Sequence, residues 1–133
     1  MAGFSGIYPM LYALYGADGK LDREAFRTQV QACLRSGVHG LAVGGLATEC
    51  NKLTTDERRR LMEWTLEDAG GAVPVSVTVT ENTQAGQIEM SKAAADSGAK
   101  WVVLQPPPVK QASEEELIKF FGGVGDACPI PVG

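Results

Sequence analysis

The sequence predicts an α/β fold with a parallel sheet, and three features point to it. Short apolar runs alternate with amphipathic stretches of helical spacing along the whole 133-residue chain. The run Ser36-Gly37-Val38-His39-Gly40-Leu41-Ala42-Val43 is echoed by Ser97-Gly98-Ala99-Lys100-Trp101-Val102-Val103-Leu104. Each run has a helix end, a glycine stop and then an apolar strand. The two lie two units apart, which gives a period of about 30 residues, the size of one βα unit. No Pro/Ser-rich linker or charge block divides the chain, so residues 1–133 are expected to form one domain. Alternating strands and helices imply right-handed parallel crossovers, as in a doubly wound sheet or a (β/α)8 barrel. A nucleotide-binding doubly wound sheet would place GxGxxG or GxxxxGK[ST] after an early strand. Neither occurs.

Residues 6–11 (GIYPML) read as strand one, and residues 16–20 (GADGK) as a tight turn. Asp22 is a good N-cap for a helix running to Arg35, with Phe26, Val30, Cys33 and Leu34 near one face. Gly37 fits the left-handed position after that helix. Residues 40–44 (GLAVG) are an apolar second strand, covered on both faces. Thr54 and Glu57 have capping-box spacing for a second helix, whose apolar contacts come from Leu61, Met62, Trp64 and Leu66. Residues 73–80 (VPVSVTVT) alternate and are β-branched, the clearest strand in the chain. A third helix is predicted from Thr83 to Ala95. The fourth strand is Trp101 to Leu104, and a fourth helix opens at the Ser113/Glu116 capping box and runs through Phe121. Residues 129–133 (PIPVG) begin a fifth strand.

Composition excludes several classes of function. With 44% hydrophobic and 21% charged residues the chain is neither disordered nor fibrous. Its net charge of −4, without a basic stripe, argues against nucleic-acid partners. The cluster Arg58-Arg59-Arg60 follows Asp56 and Glu57 and reads as a solvated helix face. The absence of a long apolar run or a basic, apolar leader predicts no membrane span and no secretory signal. Three cysteines without CxxC spacing suit a reducing cytoplasm, and one histidine excludes a multi-histidine metal site.

The run SGVHGLAVGGLATECNKLTTDERRRL, followed by VSVTVT, SGA, VVLQPPP and SEEELIKFF, resembles the dihydrodipicolinate synthase / N-acetylneuraminate lyase family over essentially the whole chain. That resemblance implies the N-terminal half of a TIM-type barrel: four βα units and the start of strand five. It further implies a class I aldolase or lyase without a separate cofactor or metal, acting on pyruvate or a related 2-oxo acid. A strand-six lysine forms the Schiff base in such enzymes, and a Y-N-x-P tyrosine moves the proton. Neither is expected within this chain, so no catalytic residue is assigned. Lys52, Lys92, Lys100, Lys110 and Lys119 read as solvated.

By the same resemblance, the GxxGE-type turn Gly45, Leu46, Ala47, Thr48 and Glu49 binds the substrate carboxylate. Gln105 ends strand four, a position suited to a ligand contact. Dihydrodipicolinate-forming members have threonines at Leu46 and Ala47, a tyrosine pair at Pro108 and Val109, and threonine-proline at Ala13-Leu14. These departures imply a divergent member with another 2-oxo acid. The residues leave some roles open. Thr48 suits either substrate contact or loop hydrogen bonding, and Thr78 and Thr80 suit either ligand contact or strand propensity. Glu49 is expected to fix its own loop through backbone N–H groups, and Tyr8 and Tyr12 to pack. Open strand edges make a homo-oligomer expected, with a non-catalytic, self-associating half-barrel as the alternative to an enzyme.

Overall fold

The computed structural model describes residues 4–107 and 111–133, so Pro108, Val109 and Lys110 lie outside the described residues. Three parallel strands alternate with helices. The order is α1 (Arg23–Arg35), β1 (Leu41–Val43), α2 (Thr55–Ala69), β2 (Val75–Val79), α3 (Gln84–Asp96), β3 (Trp101–Leu104) and α4 (Glu114–Ala127), with a 3-10 turn at Cys50–Lys52. The sheet order β1-β2-β3 follows the sequence order, and both pairings are parallel.

A single parallel bridge at each edge extends the sheet, Met10 to Ala42 on one side and Val102 to Val132 on the other. The first of these is what remains of predicted strand one. Ile7 accepts from the Gly40 N–H, Pro9 accepts from the Ala42 N–H, and the Leu11 N–H donates to Ala42. The next donor toward Gly40 would come from residue 9, and proline has none, so the ladder shrinks to one bridge. Past Leu11 the chain leaves the sheet. The amide of Gln29 on α1 holds both the N–H and the carbonyl of Tyr12.

The helices begin and end for local reasons. Asp22, Thr54, Thr83 and Ser113 accept from backbone N–H groups of the first turns, and Thr54/Glu57 and Ser113/Glu116 form complete capping boxes. Each cap contributes about 1 kcal/mol. Gly37 and Gly98 take positive φ directly after α1 and α3, which accounts for the repeated glycine stop. α4 runs six residues past its predicted end, through Gly122, Gly123 and Gly125.

Paired residues of neighbouring strands share a face, and alternate residues take opposite faces. Leu41, Val43, Val75, Val77, Val79 and Val102 therefore face together, and they form the core with Phe26, Val30, Leu61, Met62, Met90 and Ala94 of the helices. The other face carries Met10, Ala42, Ser76, Thr78, Trp101 and Val103. It is a mixture of small, hydroxylated and aromatic side chains. Predicted strand two, β1, is apolar and buried on both faces as expected, whereas β2 brings Ser76 and Thr78 to the face away from the helices. Between α1 and α2, the Asp68 side chain is fully buried, and both guanidinium branches of Arg23 bind it at 2.6 and 2.7 Å. Arg27 adds a contact at 3.3 Å, and Arg23 also lies over the Trp64 ring.

Candidate functional site

Parallel strands end together, so the loops following β1, β2 and β3 form one rim, where ligands of α/β folds gather. The loop after β1 is the tightest of the three. Gly44 has φ of +87°, and a Cβ there would stand 2.6 Å from the Thr78 carbonyl oxygen, so only glycine lets the two backbones approach. Thr48 is fully buried, and its hydroxyl is committed inside the protein. It donates to the Leu11 carbonyl at 2.7 Å and accepts from the Gly44 N–H at 3.0 Å. Of the two roles open to it, the geometry gives Thr48 the loop hydrogen bonds. The N–H groups of Thr48 and Glu49 turn back onto Gly45 and Leu46. No described group accepts from the N–H of Leu46 or Ala47, so the turn ends with two uncommitted donors at its tip.

Glu49 corrects an expectation. Its side chain is exposed and takes no capping hydrogen bond, while its own backbone adopts the left-handed region at φ 56°. The carboxylate acts at a distance instead. The Tyr15 hydroxyl is pushed above its ordinary pKa by burial first, then by the charges of Glu57 and Glu49. Tyr12 is likewise exposed rather than packed, whereas Tyr8 meets the Trp101 ring edge-on at 6.0 Å.

Leu46 and Gln105 line one cleft of about 520 Å³ at the rim, together with Cys50, Thr55, Arg58, Thr80, Asn82 and Pro106. The turn and the proline-rich loop therefore lie at the same end of the sheet. Gly45 points elsewhere. Its missing Cβ leaves room for Met10 and lies 3.4 Å from the Thr78 hydroxyl, on the sheet face away from the helices. The six predicted site residues are thus on one loop system but not in one cavity. Gly45 looks onto the free sheet face, Leu46 and Gln105 onto the cleft, and Thr48 into the interior. The Thr80 hydroxyl is a buried atom with no partner among the described residues, and its residue lines the cleft.

The sequence reading misses the part played by Arg58 and Glu81. Arg58 is not on a solvated face. Its side chain is 16% exposed, and it grips Glu81, itself 12% exposed, with two nitrogens. An arginine one turn inside a capped helix signals nothing by itself, because its partner lies 23 residues away. Among the described residues no group of three or more His, Cys, Asp or Glu side chains could hold a metal ion. No helix of the described residues is long and apolar enough to cross a membrane.

Residues 3–132 match the dihydrodipicolinate synthetase family. The chain belongs to that family. Among its relatives are the 4-hydroxy-tetrahydrodipicolinate synthases of Nitrobacter hamburgensis and Phenylobacterium zucineum, 32% and 33% identical over 129 residues each. Those residues are 97% of this chain but only 43% and 44% of the synthases. The crystal structure of YagE, a prophage protein of this family from Escherichia coli in complex with pyruvate, superposes with a TM-score of 0.92 at 30% identity. The superposition covers 98% of this chain and 44% of YagE. N-acetylneuraminate lyase from Mycoplasma synoviae shares the fold at a TM-score of 0.90 and 20% identity, over 97% of this chain and 45% of the lyase. The chain thus spans less than half the length of the family members it matches.

Proposed function

We propose that this chain is the N-terminal part of a TIM-type barrel that works as a Schiff-base aldolase or lyase on pyruvate or a related 2-oxo acid. The turn at residues 45–49 receives the substrate carboxylate. One observation carries this reading: the N–H groups of Leu46 and Ala47 have no described acceptor, at the strand end where ligands of such folds bind. Two adjacent donors at a tight turn make a small anion site without any cationic side chain. With the edge bridges at Met10 and Val132, five segments lie side by side in sequence order, which supports a barrel over a doubly wound sheet, whose order reverses at a switch point. Ser76, Thr78 and Trp101 on the free face then belong to a barrel interior.

The Schiff-base lysine lies, on this reading, in a later βα unit. Lys20, Lys52, Lys92, Lys100 and Lys119 are all exposed, whereas a lysine that attacks a ketone at neutral pH needs a desolvated or cationic setting to release its proton. The chain therefore contributes binding and shape, and the imine, formed with loss of water, arises on another segment. With Leu46 and Ala47 in place of hydroxylated residues, the tip of the turn offers only backbone donors, and the choice among 2-oxo acids falls to the rest of the cleft.

The test is a pyruvate titration of the isotope-labelled chain by amide NMR, paired with borohydride reduction and intact-mass measurement. Pyruvate should move the Leu46 and Ala47 amide signals, and reduction should leave the mass unchanged. An unmoved pair of amides at millimolar pyruvate sinks the carboxylate site, and a trapped adduct puts the lysine within this chain.

The edges favour a second reading, a self-associating half-barrel. Ile7 beside the first bridge is 67% exposed and Val132 in the last is 43% exposed, and apolar edges of a parallel sheet invite pairing. Sedimentation distinguishes it, since a monomer at high concentration rules it out.

A further inference from the structure

The three rim loops are joined by two side chains. A guanidinium has five N–H donors. In Arg58, Nε donates to Glu81 Oε1 at 2.9 Å, and Nη2 donates to Glu81 Oε2 at 3.1 Å and to the Thr55 hydroxyl at 3.0 Å. Nη1 donates to the carbonyls of Cys50 and Leu53, in the segment that follows the carboxylate turn. All five donors are committed, so Arg58 has none left for an anion although it lines the cleft. Gln87, on α3, is fully buried, and its Nε2 donates to the carbonyls of Glu81 at 3.0 Å and Gln105 at 2.8 Å. Glu81 is therefore the shared node, its carboxylate held by Arg58 and its carbonyl by Gln87. The connection runs from Cys50 and Leu53 after β1, through Glu81 after β2, to Gln105 after β3.

A stability role alone explains this poorly. The side-chain amide oxygen of Gln87, Oε1, is buried without a partner among the described residues, an arrangement an apolar side chain of similar size would avoid. What the amide adds is directional: two donors aimed at two different loops.

We propose that Arg58, Glu81 and Gln87 are positioning residues that hold the three loops in one arrangement, so that the Leu46 and Ala47 donors and Gln105 meet the same ligand. This rests on the 2-oxo-acid reading above. The network makes the cleft rim one unit, and a change at Gln87 must reach the turn although no described hydrogen bond joins Gln87 to it.

Gln87→Met keeps the volume and removes both donors. The measurement is amide hydrogen exchange by NMR, with Val77 and Val102 as core references for global stability, together with the pyruvate affinity. Exchange at Lys52 and Leu53 should quicken about two- to tenfold relative to the core amides, the lower part of the range for residues sharing one network, and pyruvate should bind correspondingly more weakly. Glu81→Gln, which keeps an acceptor for Arg58, should lose less than Glu81→Ala in both readouts. Faster exchange confined to the neighbours of Glu81 and Gln105, with Lys52 and Leu53 unchanged, overturns the proposal. So does an unchanged pyruvate affinity in Gln87→Met beside a binding wild type. If Gln87→Met does not fold, the Glu81 pair decides, and equal losses in its two members overturn the proposal. If wild type itself does not bind pyruvate, the function reading fails and the proposal fails with it, while transmitted exchange at Lys52 and Leu53 still shows that the loops are coupled.

Discussion

Replacing Thr48 by valine tests how the turn at residues 44–49 is held. Valine matches threonine in shape, so the change removes a hydroxyl and nothing else of size. The site is fully buried, and the hydroxyl is the only described partner of both the Gly44 N–H, at 3.0 Å, and the Leu11 carbonyl, at 2.7 Å. Both backbone groups would be left buried and unpaired. Each such group costs about 1–3 kcal/mol, and partial relaxation toward solvent brings the total to about 2–4 kcal/mol. Thr48→Ser keeps the hydroxyl and loses one methyl, which costs about 1 kcal/mol. Urea unfolding followed by circular dichroism measures both, with an unchanged m-value confirming that the same surface is exposed. The order wild type, serine, valine is expected, with valine at least about 1 kcal/mol below serine. A valine variant as stable as wild type, or a serine variant as weak as valine, would refute the idea that this hydroxyl pins the turn to strand one.

Two further predictions concern charges. Asp68→Ala leaves Arg23 and Arg27 facing an apolar gap, and because Arg23 is 26% exposed and can turn to water, the loss should be about 2–3 kcal/mol in the same urea assay; a neutral result would make the α1–α2 ion cluster decorative. Glu116 is held below its ordinary pKa, chiefly by the Ser113 backbone N–H and then by the Ser113 hydroxyl. Its folded pKa lies under its unfolded one, so its contribution is present above the unfolded pKa and fades as pH falls through the folded value. A carboxyl-carbon NMR titration of Ser113→Ala should show Glu116 only partly restored toward normal, and complete restoration would contradict the leading role of the backbone bond.

What the sequence made legible was local. The capping boxes at Thr54 and Ser113, the glycine stops at Gly37 and Gly98, and the bounds of β3 each depend on residues within a few positions of one another, and they stand where expected. What it hid was long-range. Three glycines argue against helix near residue 125, yet at Gly123 the missing Cβ leaves room for the Gln84 amide, whose nitrogen bonds α4 carbonyls and joins the two helices. Arg58 looked solvated because its partner Glu81 follows a different strand. Glu49 looked like a loop anchor because carboxylates in turns often are. Here the buried hydroxyl of Thr48 already does that work, which leaves the carboxylate outside.

The division of labour within the turn follows from this. Gly44, Thr48 and Glu49 spend their N–H groups on the loop itself, and the Thr48 hydroxyl is committed at both ends. Rigidity is therefore supplied by residues that offer a ligand nothing. Of the donors that remain, those on exposed residues belong to Leu46 and Ala47, whose side chains carry no hydroxyl. On the proposed function, backbone donors on a fixed frame would bind the carboxylate without distinguishing one 2-oxo acid from another, because every such acid presents the same group. Discrimination must then come from what faces the rest of the molecule. Among the described residues of the rim cleft, Thr80, with its unpartnered hydroxyl, and Gln105, whose side-chain amide makes no described hydrogen bond, are polar groups free to provide it.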